Sequence, residues 1–481
     1  MDTPRPRVAL VLPRRRLWGW HRELAALLAE KAEVTVFAVD GRGYPIWLEG
    51  WLAIERRLFG GTARTRRLSH IDSEPGRPEP SRFDAVVDLS EANPSAEALA
   101  LLYDGSPDSL TLMAALLGGR APRLQVSRGP KALAGSYPAI RTGSLTAGLS
   151  LVFARALALV ERALAGASAP ATEAAPQTTA RPSPVQVAAL AGEIATSALA
   201  NRLRGGRLRP EHWTIGWRRL RDGAPFPPET SGFTAAPIVD SGFWADPFVI
   251  SREDATYVFA EAYPYATNKG VIAWARLTDE GLSSFATALE RPYHLSYPYL
   301  FEYEDGLFMI PETGRADAVE LYRCVEFPGR WELDRVLMKD VRLKDVTVFE
   351  HGGRWWMLAA AATHGGSSMD ELFGWHADTP FGPWSPHPLN PLVSDVRLAR
   401  PAGRPVLHAG RLYRPAQDCE ASYGAGLVWC EITDLSPTTY EERPVARWSG
   451  ADFGPYTGVH TYNTDGRFEV VDLKQTIRTP T

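Results

Sequence analysis

The chain has 481 residues, of which 45% are hydrophobic, 22% charged and 10% aromatic. This composition is typical of a soluble globular protein with about two or three domains, and it excludes a collagen-like or wholly disordered chain. A formal net charge of −4 excludes a general nucleic-acid binder, which carries a strong basic excess. Cys324, Cys419 and Cys430 are too few and too scattered for a disulfide framework or a structural zinc site.

The apolar segments predict no targeting signal. The run that begins at Val8 ends before three consecutive arginines and is too short for a signal peptide. The longest apolar stretch, residues 145–165, carries Arg155, Glu161 and Arg162, which are costly inside a bilayer. We therefore expect a cytoplasmic protein, with membrane association through peripheral contact as the alternative.

Residues 1–164 predict an α/β domain. The segments RVALVLP, EVTVFAVD and FDAVVDLSE have the apolar runs of buried strands, and WHRELAALLAEKA has helical spacing. Alternating strands and helices indicate a parallel sheet, whose ligands bind at the carboxyl ends of the strands. Those ends contain no glycine-rich nucleotide fingerprint. The element order and the segment PAIRTGSLTAGLSLVFARAL resemble a degenerate formyltransferase-like domain. The characteristic His-Pro-Ser-Leu-Leu-Pro loop of that family is missing, which implies an inactive domain.

A change of composition separates this domain from the rest of the chain. Residues 165–184 are rich in Ala, Pro and Thr and predict a linker. Residues 185–205 predict one connecting helix. Eleven of the fifteen tryptophans lie from Trp213 onward, so we expect a different, all-β domain over residues 206–481.

The all-β domain contains a fivefold repeat. Each repeat has an anchor residue, an apolar strand, a turn with Asp or Gly, and an aromatic strand. The anchors are Asp246, Tyr297, Asp345, Arg400 and Thr457, at steps of 51, 48, 55 and 57 residues. Repeats of about 50 residues with paired strands are typical of a β-propeller with four-stranded blades. The sequence therefore predicts a five-bladed propeller.

The anchors predict a polar pit at one end of the propeller. Innermost strands face the central channel, so carboxylates, an arginine and a phenol should meet there and bind a small polar ligand. Trp244 and Tyr297 are candidates for stacking on sugar faces, and His294 for contacting a sugar hydroxyl. Gln417 and Asp418 would either bind sugar hydroxyls or close the blade.

The motifs WADPFV and KDVTVF resemble those of the five-bladed superfamily that includes glycoside hydrolase family 43. The resemblance implies that Asp246 is a general base and that Asp345 orients the general acid. The place of that acid is occupied by Arg400, so the acid would be Glu312 or Glu261 instead. Arg400 together with Arg414 suggests a ligand that carries phosphate or carboxylate.

A second resemblance covers most of the propeller. The segments FWADPF, PYHLSYPYLFE, MIPETG, ELYRC, KDVTVF, RPAG and YRPAQDC are similar to the propeller domain of plant glucosamine inositolphosphorylceramide transferases and their bacterial relatives. In the plant proteins a separate exostosin-type domain is expected to transfer the sugar. That domain is not found here, so the resemblance does not imply a glucosaminyltransferase activity.

Two functions follow from these observations. The first is an enzyme that cleaves or transfers a glycosidic bond in surface polysaccharide or glycolipid metabolism. The alternative is a non-catalytic recognition module for an anionic glycan or glycolipid head group, working with a partner glycosyltransferase. The sequence has no dense Asp/Asn loop of the EF-hand kind, so we expect neither a metal nor a cofactor.

Overall fold

The computed structural model describes residues 4–92, 94–166, 180–203, 208–221 and 223–478. It divides into two compact units: unit 1 is Met1–Leu203 with Thr363–Ser367, and unit 2 is Arg204–Ala362 with Ser368–Thr481. The predicted linker at 165–184 falls mostly on residues 167–179, which lie outside the described residues. The segment predicted as a connecting helix forms one, which begins and ends slightly earlier.

Unit 1 contains a seven-stranded sheet in the order β3-β2-β1-β4-β5-β6-β7. Its strands are β1 (Arg7–Pro13), β2 (Glu33–Val39), β3 (Glu74–Pro75), β4 (Ala85–Asp88), β5 (Leu99–Tyr103), β6 (Leu124–Arg128) and β7 (Lys131–Ser136). Its helices are α1 (Gly19–Ala29), α2 (Ile46–Phe59), α3 (Ser109–Leu117), α4 (Leu145–Leu164) and α5 (Pro184–Leu203). None of the described helices is long and apolar enough to cross a membrane.

The first five strands of this sheet are parallel, and β6 and β7 are antiparallel additions at one edge. The prediction of a parallel α/β sheet is confirmed. The central strand β1 is buried at every position after Arg7, as its continuous apolar run requires. Helix α4 begins where the buried carboxylate of Glu55 accepts the backbone N–H groups of Leu145 and Thr146 at 2.7 and 2.6 Å.

Unit 2 consists of five antiparallel sheets that form the blades of a propeller. Two strands precede the repeats, β8 (Leu208–Arg219) and β9 (Thr234–Ala235). The first blade contains β10 (Gly242–Arg252), β11 (Ala255–Pro264), β12 (Val271–Thr278), β13 (Gly281–Leu282) and β14 (Ala286–Leu289). The second contains β15 (Ser296–Tyr303), β16 (Gly306–Glu312), β17 (Ala318–Glu326) and β18 (Arg330–Lys339).

The other three blades follow in chain order. The third contains β19 (Lys344–His351), β20 (Arg354–Ala360), β21 (Leu372–Ala377) and β22 (Ser385–Pro386). The fourth contains β23 (Arg400–Pro401), β24 (Val406–His408), β25 (Arg411–Asp418), β26 (Gly426–Leu435) and β27 (Tyr440–Ser449). The fifth combines β28 (Tyr462–Thr464) and β29 (Phe468–Arg478) with β8 and β9. The predicted five-bladed propeller is confirmed.

The ring closes through pairing between the two ends of unit 2. Strand β8 pairs antiparallel with β29 along nearly its whole length, so the fifth blade is built from both ends of the domain. Such pairing ties the two ends of the domain together through backbone hydrogen bonds within one blade. The repeat pattern did not reveal this, because β8 lies before the first anchor.

The first three blades begin with the same backbone irregularity. Asp246, Tyr297 and Asp345 have φ angles of 51°, 46° and 52°, in the left-handed region, and each lies in a β-bulge between the two inner strands of its blade. A bulge turns a side chain away from the regular alternation of a strand. The repeated anchors therefore mark a repeated backbone geometry.

The fifth predicted anchor is wrong. Thr457 is exposed, and its backbone N–H bonds the carbonyl of Lys474 on the outer part of β29. The position that faces the pit is occupied by the buried His460, and the buried Thr461 beside it bonds Asp246. The insertion before β28 shifts the register, because residues 450–453 form a short 3₁₀-helix between the blades.

Candidate functional site: a polar pit at the propeller axis

One end of the propeller holds a cavity of about 410 Å³, a size suited to a small ligand. Its lining comes from the first, second, fourth and fifth blades and the loops that join them. The lining residues are Glu211, Trp213, Phe243, Ala245, Asp246, Glu261, Tyr263, Tyr265, Asn268, His294, Ser296, Glu312, Arg400, Tyr423 and His460. Four of the residues predicted from the repeat, Asp246, Glu261, Glu312 and Arg400, are thus brought together, with His294 beside them.

Asp246 lies at the start of the first blade with its carboxylate held in place from two sides. Oδ2 accepts the backbone N–H of Tyr297 at 3.1 Å, and Oδ1 accepts the hydroxyl of Thr461 at 2.9 Å. Burial raises the pKa of Asp246 to about 6; the nearby imidazole of His460 opposes this rise, and the carboxylate of Asp472 adds to it. The carboxyl group therefore changes its charge near neutral pH.

Behind Asp246, the buried pair of Asp472 and His460 supports it. Asp472 accepts the backbone N–H of Asp246 at 2.9 Å and receives His460 Nδ1 at 2.5 Å. The other ring nitrogen of His460 lies 3.6 Å from Asp246 Oδ1. Burial lowers the pKa of His460, but the carboxylates of Asp472 and Asp246 raise it more, so its net shift is upward.

Glu312 presents one carboxyl oxygen to the protein and leaves the other without a partner. Lys344 Nζ donates to Oε1, whereas Oε2 is buried and has no hydrogen-bond partner among the described residues; the nearest cation, Arg400 Nη2, is 3.7 Å away. Burial, reinforced by the charge of Asp345, raises the pKa of Glu312 to about 7. A buried polar atom of this kind is costly unless a proton or a ligand satisfies it.

Arg400 is bound to Asp345 beneath the pit. Its Nε and Nη2 both donate to the Asp345 carboxylate, which also accepts Gln417 Nε2 at 2.9 Å. The guanidinium lies 4.9 Å from the ring centre of Tyr423. Asp345 is therefore enclosed beneath the cavity and fixes the orientation of Arg400.

Glu261 and His294 form a second pair of titratable groups in the lining of the cavity. His294 Nδ1 accepts the backbone N–H of Gly270 at 2.9 Å, so Nε2 carries the proton and faces Glu261 Oε1 at 3.4 Å. Burial lowers the pKa of His294 to about 4 and raises that of Glu261 well above its usual value. A side chain at Gly270 would collide with both groups, since a Cβ there would lie 2.7 Å from Glu261 Oε1.

Several predicted substrate-binding residues do not line the pit. Trp244 stacks on Phe285, with ring centres 4.8 Å apart, and is part of the packing between blades. Tyr297 is fully buried and its hydroxyl bonds Thr347 at 2.8 Å. Tyr297 points into the propeller interior from its left-handed backbone, whereas Trp244 has an ordinary backbone and packs half-buried between blades.

The fourth-blade residues also have structural partners. Arg414 is buried and its charge is matched by two bonds of 2.6 Å to Glu442. Asp418 pairs with Arg447 at 2.9 Å. Gln417 bonds Asp345 and the carbonyl of Pro401, so it supports the pit from below. The expectation that Arg400 and Arg414 together bind an anion does not fit this geometry, because a carboxylate already neutralises each guanidinium.

Sequence reasoning missed the roles of Trp213, His460 and Tyr423. Trp213 stacks on the ring of His460 at 4.0 Å, and Tyr423 contacts the same imidazole edge-on at 5.2 Å. A signal existed for the fifth blade, since Asp472 is an acidic residue on the second strand of its blade, as are Glu261 and Glu312. No comparable signal marks Trp213, which precedes the first repeat.

One group of side chains could hold a metal ion. One ligand atom from each of Asp246, His460 and Asp472 lies within 4.8 Å of the others. In the structure these atoms bond one another and the backbone N–H groups of His460 and Thr461. A metal would have to displace the bond between His460 and Asp472.

Most of the residues that line the pit lie in a region of the sequence that matches a known protein family. Residues 227–463 match the family model described as glucosamine inositolphosphorylceramide transferase 1, N-terminal. Glucosamine inositolphosphorylceramide transferase 1 of Oryza sativa subsp. japonica is 39% identical over 210 residues, which cover 43% of this chain and 28% of that protein. The Arabidopsis thaliana protein of the same name is 34% identical over 244 residues, or 49% of this chain and 32% of that protein. The chain thus spans about a third of the length of these curated relatives.

Solved structures with some similarity are glycoside hydrolases. Zg3597, a family 117 glycoside hydrolase of Zobellia galactanivorans, is 12% identical, with a TM-score of 0.35, and the match covers 55% of this chain and 91% of that one. The exo-beta-1,3-galactanase of Phanerochaete chrysosporium is 12% identical, with a TM-score of 0.35 and coverage of 46% and 56%. The region of this chain that is similar to the plant proteins contains Asp246, Glu261, Glu312, Asp345, Arg400 and His460.

Proposed function

We propose that the pit binds a sugar and cleaves or transfers its glycosidic bond, in surface polysaccharide or glycolipid metabolism. The observation that carries this proposal is the unpartnered, buried Oε2 of Glu312 in the same cavity as Asp246. Glycosidic bonds are cleaved when one carboxyl group protonates the leaving oxygen while another activates the attacking group. The sequence similarity to a sugar transferase agrees with a carbohydrate ligand.

The two carboxyl groups have different environments, which suits two different roles. Asp246 accepts two hydrogen bonds from the protein and lies 3.6 Å from His460 Nε2; it is the general base, taking a proton from the attacking water or sugar hydroxyl. Glu312 has a higher pKa and a free oxygen, so it is the general acid and gives its proton to the leaving oxygen. Asp345 acts through Arg400 as a positioning residue.

The alternative of a recognition module rests on Arg400 as a receptor for an anionic glycan. The pairing of Arg400 with Asp345 and the acidic lining of the pit weaken it, because a second anion would meet the carboxylate of Asp246. This alternative would still hold if the protein bound sugars without any turnover.

The test compares turnover in the full-length protein and three variants. The substrates are aryl pentosides, hexosides and uronides, with nucleotide sugars tested for transfer. We expect Asp246→Asn and Glu312→Gln to retain the fold and lose turnover. Glu469→Gln is the matched control, since Glu469 is buried and paired with Arg218 outside the pit. Turnover that survives Asp246→Asn would overturn the proposal.

Other features of the protein remain predictions. These are the formyltransferase-like ancestry of unit 1, a cytoplasmic location, peripheral membrane contact and a partner glycosyltransferase. Assays for the last two need vesicles of defined lipid composition and candidate transferases.

A further inference from the structure

The mouth of the pit differs in chemistry from its deep end. Asp246, Glu312 and Arg400 are buried at the deep end, whereas Asn268 and Glu211 are exposed at the opening. Between them lie three half-buried rings on the first blade, which we call the aromatic wall: Phe243, Tyr263 and Tyr265. The mechanism proposed above uses none of these rings.

The aromatic wall is held rigidly. Phe243 on β10 and Tyr263 on β11 are cross-strand partners, and their rings stack 4.8 Å apart at an angle of 10°. Tyr265 contacts Phe243 with ring centres 6.2 Å apart, and its hydroxyl lies 2.9 Å from Nδ1 of His212. Because these rings are already ordered, a ligand that packs on them pays little conformational entropy.

The charges around the cavity favour a neutral ligand. The acidic residues Glu211 and Asp246 line it together with Glu261 and Glu312, whose pKa values are raised, and the guanidinium of Arg400 is already bound to a carboxylate. An anionic group at the mouth would meet Glu211 without a free cation in the cavity lining to offset it. A sugar ring offers an apolar face of C–H groups and uncharged hydroxyls, which match an aromatic surface beside an amide such as Asn268.

We propose that the aromatic wall is a second sugar subsite, which binds the apolar face of a neutral ring next to the unit held at the deep end. The inference rests on the proposed function and extends it: the ligand is a neutral glycan of at least two units. The aromatic wall and the carboxyl groups line one continuous cavity, which supports this assignment. The imidazole of His294 lies between them, with its ring centre 5.9 Å from that of Tyr263.

The test is calorimetric titration of the full-length protein with methyl glycosides of xylose, glucose and galactose and with the corresponding β-linked disaccharides. We expect a disaccharide to bind about tenfold more tightly than its methyl glycoside, as is usual for an aromatic anchor. Tyr263→Ala should remove this gain and leave the affinity for the methyl glycoside unchanged. Tyr263→Phe should retain the gain.

Tyr303→Ala is the matched control. Tyr303 is also a half-buried tyrosine of the propeller, but its ring packs on Trp355 and Phe381 and does not line the pit. The subsite would be overturned if Tyr263→Ala kept the tighter binding of the disaccharide, or if Tyr303→Ala removed it equally. Turnover by the wild-type protein would in either case still support the proposed function. Absence of binding and turnover with every sugar would overturn both. Tighter binding of the matching glucuronides would contradict the neutral-ligand assignment.

Discussion

Both units gather buried or half-buried charged groups on or just after strands, but the group in unit 2 has a much larger cavity beside it. In unit 1, Arg16 after β1 pairs with Glu91 and Asp108, which follow neighbouring strands. The cavity beside them measures about 10 Å³, enough for at most about one water molecule. In unit 2, a cavity of about 410 Å³ opens beside Asp246 and the unsatisfied oxygen of Glu312. The charge of Arg16 is matched by two carboxylates beside a closed space, although its Nε has no hydrogen-bond partner among the described residues, whereas the unmatched oxygen of Glu312 faces a space large enough for a ligand.

The strongest test of this contrast replaces carboxyl groups by amides in both units. We expect Asp246→Asn and Glu312→Gln to lower kcat by about 10²- to 10⁴-fold, because each removes a proton-transfer group. Glu91→Gln in unit 1 should leave kcat unchanged and lower thermal stability. Steady-state kinetics and thermal unfolding of the three variants provide the measurement, and a loss of turnover in Glu91→Gln would break the contrast.

A second test uses the two buried arginines of the fourth blade. Arg400→Met and Arg414→Met each leave a buried carboxylate unpaired, Asp345 and Glu442 respectively, and each should cost about 3–5 kcal/mol of unfolding free energy. Only Arg400→Met should also impair turnover, since Arg414 does not line the pit. Equal loss of activity at matched folded fractions would mean that Arg400 has a purely structural role. Denaturant titrations supply the stabilities.

The pH dependence sharpens the assignment of acid and base. Asp246 must be ionised to act as base, so kcat should fall as the pH drops below about 6. Glu312 must be protonated to act as acid, so kcat should fall by about tenfold per unit as the pH rises above about 7. Because the two groups share one site, the acidic and alkaline limbs of the pH profile give apparent pKa values of the pair. The pH profile of the residual turnover of Glu312→Gln provides the measurement. Loss of the alkaline fall would identify Glu312 as the acid, whereas an unchanged alkaline fall would exclude it.

The same raised pKa predicts a pH-dependent effect on stability. Glu312 titrates at about 7 when folded and at its usual 4.5 when unfolded. Its contribution to stability is therefore full below pH 4.5 and is lost as the pH rises through about 7. The unfolding free energy of Glu312→Gln minus that of the wild type should therefore increase from pH 4.5 to pH 7, as measured by urea unfolding at each pH. A constant difference over this range would contradict the raised pKa.

The smallest effect concerns unit 1 alone. Glu55→Ala removes the acceptor for the first N–H groups of α4 and should cost about 1–2 kcal/mol of unfolding free energy. Glu55→Gln, which keeps one acceptor oxygen, should cost less. Neither variant should change sugar turnover. A change in turnover without a change in stability would show that unit 1 contributes to the reaction.

The sequence was sufficient for the architecture because each blade repeats its inner strands with similar spacing. It was insufficient for the closing strand β8 and for His460, since one precedes the repeats and the other follows an insertion that changes the register. Glu261 and Glu312 occupy equivalent positions in their blades, so sequence could not choose between them. They differ in their neighbours: Glu261 faces a neutral imidazole, whereas Glu312 bonds a lysine from the next blade. Such contacts between blades depend on the closed ring.

The left-handed bulge at the start of the first three blades has an evolutionary consequence. The same backbone turn carries an aspartate in the first and third blades and a tyrosine in the second, with φ within a few degrees. The main chain, and not the side chain, thus determines where each of these groups is placed. A single codon change at such a position can alter the reactivity of the pit without rebuilding the domain. Descendants of one duplicated blade could in this way acquire different chemistries while inheriting the same scaffold.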